Sequence, residues 1–328
     1  MIITLDEKAS AGERDELYRF ITESGYSFDR FSEEGITLII VRNADAAFDA
    51  DRIKAFPAVK SVKRITPAYK LARGEKISVK VGKTKIGGGN LTFIGGPCAI
   101  ENEETLFETA KAVKKAGATV FRAGAYKPRT SPYSFQGLGA DGLKMLAEVK
   151  AEVGLPTVSE IVDIRTLDFF AEVDMLQVGA KNMQNFELLK ELGKCGKPVL
   201  LKRGFANTTE EFLMSAEYLL NAGNENVVLC ERGIRTFENC SRFTLDVGAV
   251  AYLKNATKLP VIVDPSHAAG VKNLVEPLAL AGIAAGAEGL ICEVHSFPEK
   301  SLCDGAQAIS PKTFSEIVKK AVSIGKIL

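Results

Sequence analysis

The chain has almost no net charge: 42 Lys and Arg against 41 Asp and Glu leave +1 at pH 7 over 328 residues. That balance excludes binding to nucleic acid or to a membrane surface through bulk charge, though a local basic loop can still grip an anion. Long apolar runs are missing too. The nearest candidate, Leu278 to Ala287, is short and rich in Ala and Gly, so no bilayer span is expected. The start, Met-Ile-Ile-Thr-Leu-Asp, has no basic segment followed by an apolar stretch, and no signal peptide is expected. The six cysteines show no close repeat. They read as reduced thiols, which points to the cytoplasm rather than to a disulfide-stapled secreted domain. Histidine is scarce, with two in the chain, so the position of each is informative.

What is present is ordinary for a globular protein: 46% hydrophobic and 25% charged residues. The length suits more than one domain, or one large α/β barrel with a small domain. The run Phe121 to Gly139 is unusual. It sets Arg122, Lys127 and Arg129 among Pro, Gly and hydroxyl residues, with no carboxylate to balance them. Such a loop suits a phosphorylated small molecule, or it is a solvated loop with an accidental cluster.

The first 65 residues or so alternate strand-like and helix-like runs. Strands are expected at residues 2–5, Tyr26–Phe31, Ile36–Val41 and Val59–Ile65, and helices at Ala11–Ser24 and Ala46–Phe56. The order βαββαβ is that of a ferredoxin-like unit. With no His or Cys there, the unit reads as regulatory or assembly-related, or as a stabilising appendage. A hairpin, Ile77–Val81 with Thr84–Ile86, follows a basic connector.

From Leu91 short apolar runs alternate with helical segments. Strands are expected at Leu91–Gly95, Thr119–Arg122, Pro156–Ser159, Met175–Val178, Pro198–Leu201, Asn226–Cys230, Pro260–Val263 and Gly289–Glu293. Helices are expected between them, among them Glu103–Ala116, Ile164–Glu172 and Thr209–Asn221. About eight βα units make a (β/α)₈ TIM barrel. An open dinucleotide-binding sheet is a poor fit, because Pro97 and Cys98 stand where backbone N–H groups would have to face a pyrophosphate. The expected division is residues 1–70, a small ferredoxin-like α+β regulatory domain, and 71–328, the catalytic barrel with its hairpin at 77–86.

In such a barrel the site lies at the C-terminal ends of the strands. Polar residues gather there at nearly every strand, in places where an apolar strand bears them at a cost unless they serve a site. Cys98, His267 and Glu293, with Asp304 as a fourth candidate, combine thiolate, imidazole and carboxylate. That donor set suits a divalent transition metal: Mn, Fe, Co or Zn. Cys98 alone would be an ordinary buried hydrophobe, and His295 reads as a structural residue as readily as a ligand. Arg122, Lys127, Arg129, Lys181, Lys202, Arg203 and Arg232 imply a ligand with several anionic groups. Arg203 could instead be solvated or paired with a neighbouring Glu.

These motifs resemble one family along essentially the whole chain. Gly96-Pro97-Cys98-Ala99-Ile100-Glu101, Lys127-Pro128-Arg129-Thr130, Leu201-Lys202-Arg203-Gly204, Cys230-Glu231-Arg232-Gly233, Asp264-Pro265-Ser266-His267 and Glu293-Val294-His295 are similar to those of 3-deoxy-D-arabino-heptulosonate 7-phosphate (DAHP) synthase. The subgroup with an N-terminal ferredoxin-like domain is the nearest in pattern. The resemblance implies condensation of phosphoenolpyruvate with erythrose 4-phosphate, the first step of the shikimate pathway. It implies metal ligands Cys98, His267, Glu293 and Asp304. Phosphoenolpyruvate would be held by Arg122, Lys127, Lys202 and Arg232, with Ala180 and Lys181. Erythrose 4-phosphate would take Lys127, Pro128, Arg129 and Thr130. Many relatives have Arg where Lys181 stands, and Lys lacks the bidentate fork.

Within that chemistry Lys127 is the first choice for proton transfer or charge stabilisation, and Glu160 for handling the attacking water. The resemblance also implies a homotetramer inhibited by an aromatic amino acid such as tyrosine or phenylalanine. Two rivals remain in view. One is 3-deoxy-D-manno-octulosonate 8-phosphate synthase, which uses arabinose 5-phosphate and carries an Asn-rich segment in place of Lys-Pro-Arg-Thr. The other is a non-catalytic sensor, which would be expected to have lost a ligand.

Overall fold

The computed structural model describes residues 1–328 except 34, 43, 45–47, 66 and 328. The chain divides into two compact units, Met1–Lys70 and Leu71–Leu328.

The first unit runs β1 (Ile2–Leu5), α1 (Ala11–Glu23), β2 (Phe28–Glu33), β3 (Ile36–Val41), α2 (Ala50–Lys54) and β4 (Val59–Lys63). Its strands pair antiparallel in the order β2-β3-β1-β4, so β1 lies inside the sheet. Ile3 and Leu5 of β1 pack with Leu17 and Ile21 of α1 in one buried cluster. A capping box of Ser10 and Glu13 starts α1 by satisfying its first free N–H groups. Helix α2 is shorter than the expected Ala46–Phe56. Asp49 caps it by accepting from the backbone of Asp51 and Arg52, and Pro57 disfavours helix just before it. Residues 46 and 47 lie outside the described residues.

In the second unit β5 (Ser78–Val81) and β6 (Thr84–Gly87) form an antiparallel hairpin. Eight parallel strands follow among the described residues: β7 (Thr92–Gly96), β8 (Val120–Arg122), β9 (Thr157–Glu160), β10 (Met175–Val178), β11 (Val199–Lys202), β12 (Val227–Glu231), β13 (Val261–Val263) and β14 (Gly289–Glu293). They close into a barrel, with β14 paired to β7. The helices are α3 (Glu103–Lys115), α4 (Gly139–Val153), α5 (Phe186–Lys194), α6 (Thr209–Asn221), α7 (Val247–Ala256), α8 (Pro265–Ala269), α9 (Lys272–Ala284) and α10 (Pro311–Gly325). Val79, Val81 and Ile86 of the hairpin join the barrel's inner residues, such as Ile94, Val120 and Leu200, in one buried cluster. The hairpin thus plugs the barrel floor.

Several strands begin one residue later than expected. Pro156, Pro198 and Pro260 have no N–H for the ladder, so each precedes its strand. Their carbonyls still accept, from Phe121, Leu176 and Leu229. Glu160, Lys202 and Glu231, expected just beyond their strands, are instead the last strand residues. The segment expected as a helix at Ile164–Glu172 is a 3₁₀ turn, Ile164–Phe170. Its Thr and paired Phe residues are poor α formers.

Candidate active site

Barrel closure sets Glu293 of β14 beside Gly96 of β7, two residues before Cys98. Gly96 has φ 151°, and a Cβ there would meet the carbonyl oxygen of Arg122 at 2.0 Å, so only glycine fits where these strands crowd. From α8 comes His267. Asp264 caps that helix, accepting from the His267 backbone N–H at 2.9 Å, and its Oδ2 lies 2.6 Å from His267 Nδ1. Nδ1 is thereby engaged and Nε2 is left facing the mouth, an arrangement typical of metal-ligating histidines. Nε2 lies 3.2 Å from Glu293 Oε1.

Asp304 sits in a turn after β14 with φ 58°, the non-glycine residue at positive φ among those described. Its Oδ2 accepts from Cys98 Sγ at 3.2 Å. One donor atom from each of Cys98, His267, Glu293 and Asp304 falls within 4.8 Å of the others. Sulfur, nitrogen and two carboxylates turned toward one another fit a divalent transition metal. Burial works to raise the acids here, but other groups prevail. His267 and Lys202 hold Asp264 well below the usual carboxylate range. His267 and Arg122 likewise lower Glu293.

Several cations gather at the same mouth. A cavity of about 320 Å³ opens at the mouth, lined by Lys127, Arg129, Lys181, Lys202, Arg232 and His267 among others. Pro128, Thr130, Glu160, Ala180 and Asp304 also border it. Arg122, Cys98, Glu293 and Arg203 do not line it and are buried. Arg122 corrects one sequence expectation. It is not an unpaired loop cation: Nη1 lies 3.1 Å from Glu293 Oε1, 171 residues away in the chain. Arg203 is paired, at 2.8 Å with Glu231 and 3.0 Å with Asp246, and not solvated. Lys202 pairs with Asp264.

Arg232 is different. It is buried, has no carboxylate within salt-bridge range among the described residues, and lies over the rings of Phe205 and Phe243 at 5.0 and 4.2 Å. Burial pushes its pKa down. A desolvated, unneutralised guanidinium is a receptor for an anion. Lys127, also buried, donates to the Cys98 carbonyl at 3.1 Å. Burial opposes its charge, but Cys98 and Glu160 outweigh that and raise its pKa, so it stays protonated at neutral pH. Lys181 Nζ donates to the Pro128 carbonyl at 2.6 Å and lies 3.3 Å from Thr130 Oγ1, bracing the loop.

Glu160 accepts from Gln177 at 3.3 Å. A Cβ on Gly179 would meet Glu160 Oε1 at 1.9 Å, so glycine leaves that carboxylate its room. His295 stands apart from the cluster of Cys98, His267, Glu293 and Asp304. Its Nδ1 accepts from the Phe297 backbone at 2.9 Å, and Nε2 lies 3.7 Å from Glu101.

Sequence reasoning missed three neighbours. Gln177 had a signal, a lone amide in an apolar strand. Cys303 precedes Asp304, and its Sγ lies 3.2 Å from Cys98 Sγ and 2.7 Å from Arg129 Nη1. Arg242 lines the cavity and lies 3.5 Å from Asp304. No local pattern marks the last two.

A family model described as the DAHP synthetase I family matches residues 70–327. The chain belongs to that family. It is 47% identical to phospho-2-dehydro-3-deoxyheptonate aldolase of Thermotoga maritima over 297 residues, 89% of this chain and 88% of that one. A crystal structure of T. maritima phospho-2-dehydro-3-deoxyheptonate aldolase (DAHP synthase) superposes with TM-score 0.94 at 42% identity, covering 99% of this chain and 97% of that one. 2-Dehydro-3-deoxyphosphooctonate aldolase of Geobacter sulfurreducens is more distant, 32% identical over 76% of this chain and 98% of that one. The family is the one the motifs implied, and the eight-carbon alternative is not favoured. No described helix is long and apolar enough to cross a membrane.

Proposed function

We propose that this chain condenses phosphoenolpyruvate with D-erythrose 4-phosphate and water, giving 3-deoxy-D-arabino-heptulosonate 7-phosphate and phosphate. The observation that carries the reading is the meeting of four side chains able to hold a metal ion, Cys98, His267, Glu293 and Asp304, and a cationic cavity at one barrel mouth, in a member of this family. Lys127, Lys202 and Arg232, with Ala180 and Lys181, line the cavity and hold phosphoenolpyruvate, and Arg122, buried and paired with Glu293, is assigned to the same substrate by the family resemblance alone. Pro128, Arg129 and Thr130 join Lys127 in holding the aldose phosphate. Fixing two anionic reactants side by side offsets their repulsion and supplies attack geometry.

Cys98, His267, Glu293 and Asp304 would hold the metal. A bound divalent ion, Mn, Fe, Co or Zn, supplies Lewis acidity for the aldehyde oxygen. Lys127, kept charged, stabilises negative charge as the enol carbon bonds to the aldehyde carbon. Glu160, steadied by Gln177, orients the water that adds where phosphate departs. Phosphate release should be seen with erythrose 4-phosphate and be near background with arabinose 5-phosphate, assayed side by side. Equal or preferred use of arabinose 5-phosphate would reverse the assignment.

The unit at residues 1–70 is proposed as a regulatory module that takes an aromatic amino acid in a homotetrameric, cytoplasmic enzyme. Deleting residues 1–70 should leave phosphate release intact and abolish inhibition by tyrosine or phenylalanine. An unchanged inhibition profile after deletion would refute that role.

A further inference from the structure

A carboxylate can serve a metal only if it is turned the right way. The last torsion of Glu293 is broad and two-fold, so partners must set it. One oxygen, Oε1, lies 3.1 Å from Arg122 Nη1 and 3.2 Å from His267 Nε2. The other, Oε2, accepts from Gln307 Nε2 at 2.5 Å. Gln307 is 2% exposed, and its Oε1 accepts from Arg242 Nη1 at 3.1 Å.

The chemistry of the partners dictates which amide atom faces which. An ionised carboxylate only accepts and a guanidinium only donates, so flipping the amide would lose both bonds. The backbone N–H of Gln307 also donates to the Asp304 carbonyl at 3.1 Å, closing the turn that holds Asp304 at positive φ. One residue thus touches two of the four clustered ligands, by side chain and by main chain.

We infer that Gln307 is a positioning residue: its amide locks the Glu293 carboxylate with Oε1 toward His267, and so strengthens binding of a divalent ion. The inference rests on reading Cys98, His267, Glu293 and Asp304 as the ligands. Neither glutamate nor an apolar residue can replace the amide. Ionised glutamate has no donor for Oε2, and methionine, whose sulfur is only a weak acceptor, has none either. In both cases Glu293 is free to turn both oxygens toward Arg122 and away from His267.

The test uses metal-stripped full-length protein without substrates, so it does not depend on the reaction. Binding of Mn²⁺ and of Zn²⁺ is measured by competition with a fluorescent chelator for wild type, Gln307→Met and Gln307→Glu. Thermal unfolding of each metal-free protein is recorded beside it. We expect Kd to rise about 10–100-fold in both variants, the range seen when a ligand's hydrogen-bond partner is removed, while metal-free unfolding stays cooperative. Wild-type Kd in either folded variant would overturn the inference. Loss of cooperative unfolding in both would also overturn it, since Gln307 would then serve the fold. If wild type binds neither ion, the ligand reading falls and takes the inference with it. If wild type binds and Gln307→Met binds equally well, only the inference falls.

Discussion

Lys127→Ala is expected to lower kcat about 10²–10³-fold in protein that remains folded, the loss typical of removing one preorganised donor from a developing negative charge. The residue combines three properties. It lines the cavity together with Lys202, Arg232 and the loop residues Pro128, Arg129 and Thr130. It is buried, so its charge is poorly screened. Its pKa is raised, with Cys98 and Glu160 overcoming the effect of burial, so it donates at neutral pH and does not act as a free base. The ammonium also contacts Cys98 Sγ at 3.1 Å, so the variant's metal content must be matched to wild type before rates are compared. Lys127→Met, which keeps the apolar stem, should lose as much. Steady-state turnover with both substrates saturating checks this, and near-normal kcat in either variant would refute the role.

Removing divalent metal is the second large effect. Chelator-treated protein should fall to background phosphate release, and adding back Mn²⁺, Fe²⁺, Co²⁺ or Zn²⁺ should restore it to differing degrees. His267→Ala should stay inactive with metal in excess. That variant takes away the nitrogen that faces Glu293 at 3.2 Å, yet leaves Asp264 paired with buried Lys202, so the fold should survive. Elemental analysis alongside the rate measurement decides the matter. Full activity in protein shown to be metal-free would reject the metal reading.

Some of this was legible in the residues alone. Parallel barrel strands are buried on both faces and read as apolar runs ended by the first polar residue. Met175–Val178 and Gly289–Glu293 were therefore expected with the bounds they have. The same rule put Cys98, Glu160, Lys202, Arg232, His267 and Glu293 at strand ends. Proline shifted several strand starts by one residue for a reason that is itself local. Helix α7 and the short α8 were not anticipated: Gly248 interrupts the pattern in α7, and α8, begun by Pro265 at its first position, has only 5 residues and shows no period.

What the amino-acid order determined by itself, then, was the alternation that builds a barrel and the kind of chemistry carried to its mouth. It did not determine which charges are available. Arg122, Arg203 and Arg232 look alike in sequence, each a cation at the end of a buried strand. Only tertiary structure separates them: Arg122 meets Glu293, Arg203 meets Glu231 and Asp246, and Arg232 meets two aromatic rings and, among the described residues, no acid within salt-bridge range. The approach of Cys303 to Cys98 and the grip of Gln307 on Glu293 have the same origin. Pairing depends on which strand ends become neighbours when β14 closes against β7, and on how the segment after β14 folds back over them. Those distances arise from closure of the whole ring, which no local run of residues encodes.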